Sequence, residues 1–244
     1  MRLTGTLALA LPLLSVASAQ QSPLDQAKEQ AQYWLGKLQS YLPNPNTEHP
    51  AQAAAAAPGA KVGAKTVTIL DLNNWESTIR DSFKPTSKKP EEWWVLMTGG
   101  NATCYGRCGQ IEAAFNESAQ LFAATPSSPS LALINCDYQP ILCNSWSAGP
   151  PGLWIMEVGA PTEPVPIRKV GLNTTSTTSK TFTDLYASQS YKSKDLYEGY
   201  FHPFDGAVAK AGLAIPLAYV TWAFALVPSW VVMIGISFIS RNMM

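Results

Sequence analysis

The chain of 244 residues has room for one domain of ordinary size with flanking segments. Its 17 basic and 17 acidic residues balance, and no basic stripe exists to hold a phosphate backbone, so nucleic-acid binding has no footing. With two histidines (His49 and His202), no glycine-rich phosphate loop and no Gly-x-Ser-x-Gly, the chemistry concentrates in four cysteines.

The first residues, MRLTGTLALALPLLSVASAQ, predict a secretory signal over 1–19: Arg2 precedes an apolar run from Leu7 to Leu14, and Ala17-Ser18-Ala19 supplies the small-x-small cleavage pattern. That run is too short to cross a bilayer. Over 20–43, Leu24, Ala27, Ala31, Trp34, Leu35, Leu38 and Leu42 recur at helical spacing, predicting an amphipathic helix that Pro43 and Pro45 end. Its apolar stripe is expected to dock on its own domain, with a partner or a membrane surface as the alternative. Residues 44–65 are an Ala/Pro/Gly tract without a packing pattern, a linker.

Residues 66–191 predict one domain. VTILDL (Val67–Leu72) has strand composition, and a short helix follows it, with Asn73 as N-cap and Glu76 completing a capping box. Trp93–Thr98 is a continuous apolar run of buried-strand type. After the segment GGNATCYGRCGQ comes a helix with Ile111, Phe115, Ala119 and Phe122 on one face, and Glu112, Asn116 and Gln120 form its polar stripe. Ser130–Asn135, Gly152–Val158 and VPIRKVG are further strands, and SKTFTDLYASQSY is a closing helix. Alternation of strand and helix at this spacing implies an α/β fold, a central sheet with parallel pairs and helices on both faces.

Residues 192–212 form a juxtamembrane segment, in which FHPFDG (Phe201–Gly206) has the composition of a tight turn. From Leu213 to Ile239 there are 27 residues without a charge, which predicts one transmembrane helix kinked at Pro216 and Pro228, with a cytosolic tail at 240–244. A GPI-attachment signal is the rival reading, opposed by Arg241 and the missing polar spacer. With the signal removed, the domain lies in the lumen of the endoplasmic reticulum or secretory pathway, as a single-pass membrane protein. Three sequons, at Asn101, Asn116 and Asn173, agree with that compartment, as does an even number of cysteines.

The order of these elements resembles the thioredoxin fold. A buried strand leads into a cysteine pair before a helix, and Gly149-Pro150-Pro151 introduces a later strand. The resemblance implies a cis-proline at Pro151, facing Cys104 and Cys108. The segment NCDYQPILCNSWSAGPPGLWIM is similar to endoplasmic-reticulum protein disulfide isomerase relatives, where a second cysteine pair matches Cys136 and Cys143. The arrangement of signal, lumenal domain and membrane segment looks like the oxidoreductase subunits of oligosaccharyltransferase.

That resemblance implies a thiol–disulfide oxidoreductase needing no cofactor. Cys104 would be an exposed attacker at a helix start, activated by Arg107, Cys108 a sheltered resolver, and Pro151 would shape the client groove. The spacing is Cys-x-x-x-Cys, Thr98 stands where the family carries a buried acid, and Thr103 stands where it carries an aromatic residue. Four cysteines allow three pairings; spacing and the resemblance favour Cys104–Cys108 and Cys136–Cys143, the second as a structural bond. Spacings do not match zinc knuckles, so no metal is expected. Two functions stay open: an enzyme acting on secretory-pathway clients, and a redox-inert adaptor or subunit of a membrane complex.

Overall fold

Side chains along Trp93–Thr98 alternate between two opposite layers, and every residue of the run is buried. The run is most of β2 (Glu91–Thr98), the middle strand of a sheet whose order is β1 (Thr68–Ile69), β3 (Ser130–Asn135), β2, β4 (Gly152–Val158) and β5 (Ile167–Gly171). The computed structural model describes residues 65–83, 89–125, 127–227 and 229–242. The expected signal (1–19), the amphipathic helix (20–43) and the linker up to residue 64 lie outside the described residues.

β1, β3 and β2 run parallel, while β4 is antiparallel to β2 and β5 antiparallel to β4. Trp93, Val95 and Met97 join one hydrophobic cluster with Ile79 of α1 (Trp75–Arg80) and Leu142 of α4 (Pro140–Ser145). Trp94 and Leu96 join the other, with Ile111 and Phe115 of α3 (Gly109–Phe122) and Phe182 of α5 (Ser179–Ser188). Two covered faces are the reason β2 reads as a continuous apolar run. Each fully buried aromatic or aliphatic side chain there contributes roughly 1.5–3 kcal/mol.

The cap of α1 differs from expectation. The helix begins at Trp75, and Asp71 Oδ1 accepts from the backbone N–H groups of Asn73 (2.7 Å) and Asn74 (2.9 Å). With those two N–H groups satisfied by Asp71, Asn73 is not the cap, and Glu76 pairs with Arg80 at 3.6 Å instead of reaching back.

After α5 and a 3₁₀ turn (Ser190–Ser193) the chain returns to the sheet edge, where Tyr197 N–H donates to Ile167 O at 2.8 Å. The FHPFDG turn, which leads into α6 (Ala207–Lys210), is a clip rather than a loose connector. Buried His202 accepts at Nδ1 from Phe204 N–H (3.3 Å) and Asp205 N–H (2.9 Å), which leaves the proton on Nε2 to donate to Val165 O (3.0 Å). Asp205 Oδ2 accepts from Val165 N–H at 2.8 Å, and Phe204 is buried in the first cluster. Burial lowers the His202 pKa; the Asp205 charge and the Val165 hydrogen bond oppose that, while Lys169 and Lys210 add to it.

The single helix expected over 213–239 is not what forms. The segment makes α7 (Ala214–Leu226) and α8 (Ser229–Asn242), bent by 91°. No single helix among the described residues is long and apolar enough to cross a membrane, and the bent pair passes that test only together. Val227, before Pro228, is extended (φ −74°, ψ 119°), the conformation a following proline imposes, so the helix ends there. Pro216 does no such damage because it sits in the first turn of α7, where an N–H has no partner within the helix.

Candidate active site at the end of the second strand

β2 ends at Thr98, and Gly99-Gly100 lead into a four-residue helix, α2 (Asn101–Cys104). Tyr105 (φ 54°) and Gly106 (φ 70°) then take left-handed conformations, and α3 starts at Gly109 with Cys108 as its N-cap. Cys104 and Cys108 form a disulfide with a Cα–Cα distance of 5.8 Å. The expectation of Cys104 at the start of the main helix is therefore corrected: it closes the short helix, and Cys108 holds the N-terminal position. Two consecutive left-handed residues cannot continue a right-handed helix, so the segment splits at Tyr105. Cys104 is 5% exposed and Cys108 0%, so the oxidised pair is buried rather than presenting an exposed sulfur. Tyr105, Gly106 and Arg107, which link the two cysteines, are all exposed.

The second disulfide, Cys136–Cys143, has a Cα–Cα distance of 5.7 Å and joins the end of β3 to α4. Cys136 N–H donates to Thr98 O at 2.8 Å, tying this loop to the strand end that precedes the first pair. The register Met97↔Gly152 brings Gly149-Pro150-Pro151 beside Gly99, and the Pro150–Pro151 peptide bond is cis. A Cβ on Gly99 would overlap Thr103 Oγ1 and lie 3.3 Å from Pro150 Cγ, so this close approach requires glycine. The structure thus gathers Cys104, Cys108, Arg107 and Pro151 at one end of the sheet. Asn101, Asn116 and Asn173 are exposed at three separate places.

The family model described as "tRNA hydrolases-like, Thioredoxin-like domain" matches residues 51–224. The chain belongs to this family. No protein of curated function matches its sequence. Among solved structures, the J-Trx1 fragment of ERdj5 is similar at 15% identity and a TM-score of 0.36, covering 52% of this chain and 51% of that one. The zinc-bound form of human ERp44 gives 13% and 0.37, covering 51% and 30%. The first thioredoxin domain of mouse protein disulfide-isomerase A4 gives 14% and 0.35, covering 50% and 74%. The thioredoxin-like chain thus aligns with about half of the ERdj5 fragment and under a third of ERp44.

Two carboxylates of this thioredoxin-like domain complete the site, and sequence reasoning gave neither this role. Asp137 accepts from Ala102 N–H (3.2 Å), Thr103 N–H (3.0 Å) and the Thr103 hydroxyl, and so caps α2 from the other disulfide loop. Burial pushes its pKa up, but the bonds from Thr103, Ala102 and Gly100 outweigh that and hold the carboxyl below its usual value. Its charge serves the N-terminal end of α2. Glu112 lies one turn beyond Cys108, and its carboxylate accepts from the buried Thr98 hydroxyl at 3.3 Å. A carboxylate thus reaches the place of the missing strand acid from α3. The i+4 step from Cys108 was the only signal for it; the polar stripe hid it.

Proposed function

We propose that this thioredoxin-like protein is a membrane-anchored thiol–disulfide oxidoreductase of the secretory pathway. The observation that carries the reading is the Cys104–Cys108 disulfide, whose three intervening residues are all exposed and which is placed at the sheet end beside the cis Pro150–Pro151 turn. In the reduced protein, the Cys104 thiolate attacks a client disulfide, forming a Cys104–client bond and expelling one client thiolate. Cys108 then loses its proton and attacks Cys104, releasing the second client thiolate. The client gains two electrons and the pair is left oxidised; glutathione of the compartment resets it. Arg107 favours the Cys104 thiolate and Pro151 shapes the groove. Membrane attachment rests on the 27 uncharged residues of Leu213–Ile239, and lumenal placement on the N-terminal signal pattern and on the exposed sequon asparagines.

The burial of both sulfurs favours a second reading, a redox-inert adaptor held at the membrane. The reduction potential separates the two. An exchangeable pair titrates near the compartment's poise of about −180 to −210 mV, and a structural one below about −300 mV. We expect the first value, with mixed disulfides trapped through Cys104 in Cys108→Ala. A potential in the structural range with nothing trapped leaves the adaptor.

A further inference from the structure

Half of the apolar C-terminal segment is built into the domain. α7 packs on α4, the helix that carries Cys143, and Ala218 at this contact is 2% exposed. Leu217, Ala218 and Thr221 share a cavity of about 360 Å³ with Cys143, Ser147 and Gly149. The family match runs through residue 224, so most of α7 belongs to the family's domain. Gly149 opens the turn whose Pro150 ring lies against Gly99, and Gly99-Gly100 lead straight to α2 and Cys104. The helix of the apolar segment and the Cys104–Cys108 disulfide therefore stand on either side of one turn, at one end of the sheet.

No slack chain separates them. The stretch before α7 is clipped down by His202 and Asp205 on Val165 and by buried Phe204, and Leu213 N–H donates to Val208 O at 3.0 Å. On its outer side α7 exposes Tyr219, Val220, Phe224 and Leu226, and α8 exposes Trp230, Met233, Ile234 and Phe238. A helix apolar on every exposed face belongs in lipid or in a core, and among the described residues nothing covers these faces. At 13 and 14 residues the two helices are about 20 Å long, shorter than the roughly 30 Å hydrocarbon core. With one side of α7 held on α4, its other sides are left for lipid.

We propose that the docking of α7 on α4 holds the Cys104–Cys108 site at the bilayer surface, so that its clients are cysteines of membrane polypeptides close to their spans. This rests on the oxidoreductase reading and names its substrate class. A rigid mount raises the effective concentration of a client cysteine at matching height and lowers it for one held far away.

The test uses the full chain with Cys108→Ala in phosphatidylcholine vesicles, so that Cys104 is a free thiol. The probes are single-span peptides with one cysteine capped as a mixed disulfide with thionitrobenzoate, about 5 or about 30 residues from the span, and the same peptide lacking the span. Cys104 displaces thionitrobenzoate as its anion and forms a disulfide with the peptide, and both products are measured. The expected result is capture of the near cysteine about tenfold faster than the far or the soluble one. Ala218→Leu, which crowds the contact with α4, should erase that preference while vesicle binding and the Cys136–Cys143 bond persist. Equal rates for all peptides, or a preference unchanged in Ala218→Leu, overturn the proposal while exchange itself stands. Absence of any adduct overturns the oxidoreductase reading and the proposal together.

Discussion

The two disulfides close short loops over buried cysteines, with Cα–Cα distances of 5.8 and 5.7 Å, yet their surroundings differ. The residues between Cys104 and Cys108 are all exposed, two have left-handed backbone, and neither cysteine belongs to a described hydrophobic cluster. Between Cys136 and Cys143 lie buried Gln139, Ile141 and Leu142, and both of those cysteines join the cluster around Trp146, which stacks on Trp154 at 5.6 Å. A disulfide of nearly the same Cα span is thus a core staple in one loop and closes a fully exposed loop in the other. Burial of the sulfur alone does not distinguish them; the residues that join the cysteines do.

The largest expected effect comes from removing the staple. Cys136→Ala with Cys143→Ala should cost roughly 2–3 kcal/mol from the loop term, lowering Tm by about 5–10 °C in a chain of this size. Removing Cys104 and Cys108 together should lower Tm by less, since that loop is shorter and lies outside the core. Equal losses by calorimetry would erase the distinction.

Asp137→Ala sharpens the comparison at the link between the loops. Loss of the cap on α2 should cost about 1–2 kcal/mol at neutral pH. Because the folded carboxyl titrates below its usual value, its stabilisation is complete above about pH 4 and is lost as pH falls through the lowered folded pKa. Urea titrations of both proteins should therefore diverge at neutral pH and converge in acid, and a gap that persists in acid would deny the charge its role.

A comparable or smaller loss, about 1–2 kcal/mol, is expected for Gly106→Ala, whose φ of 70° disfavours a side chain and whose Cβ would lie 2.8 Å from Asn101 Oδ1. The same substitution at Gly109, where nothing crowds the added Cβ and the backbone is helical, should be neutral or stabilising, and chemical denaturation of the two variants tests the left-handed loop directly. Smallest of all is Arg107→Ala. Stability should stay within about 0.5 kcal/mol, while alkylation of reduced Cys104 near neutral pH should slow several-fold, the scale of about 1 kcal/mol for an exposed charge pair. An unchanged rate would remove Arg107 from the site.

The apolar run of Trp93–Thr98, the stripe of Ile111, Phe115, Ala119 and Phe122, and the Gly-Pro-Pro turn were legible in the sequence, because a strand covered on both faces is apolar throughout and a helix buried on one face leaves a period. Both pairings followed from short spacing and from the resemblance, and the fold followed from element order. Tertiary structure decided the rest. Asp137 reaches Ala102 and Thr103 across 35 and 34 residues of sequence, Glu112 meets Thr98 across the layer between α3 and β2, and α7 packs on α4. No periodicity records such contacts, since each depends on where two separate elements meet. The position of Cys104 turned on Tyr105, whose left-handed backbone at φ 54° ends a helix that its residue type alone would have allowed to continue. An uncharged run of 27 residues carries the length of one crossing, but extended Val227 ahead of Pro228, together with the packing of α7 on α4, divides it into two helices at 91°.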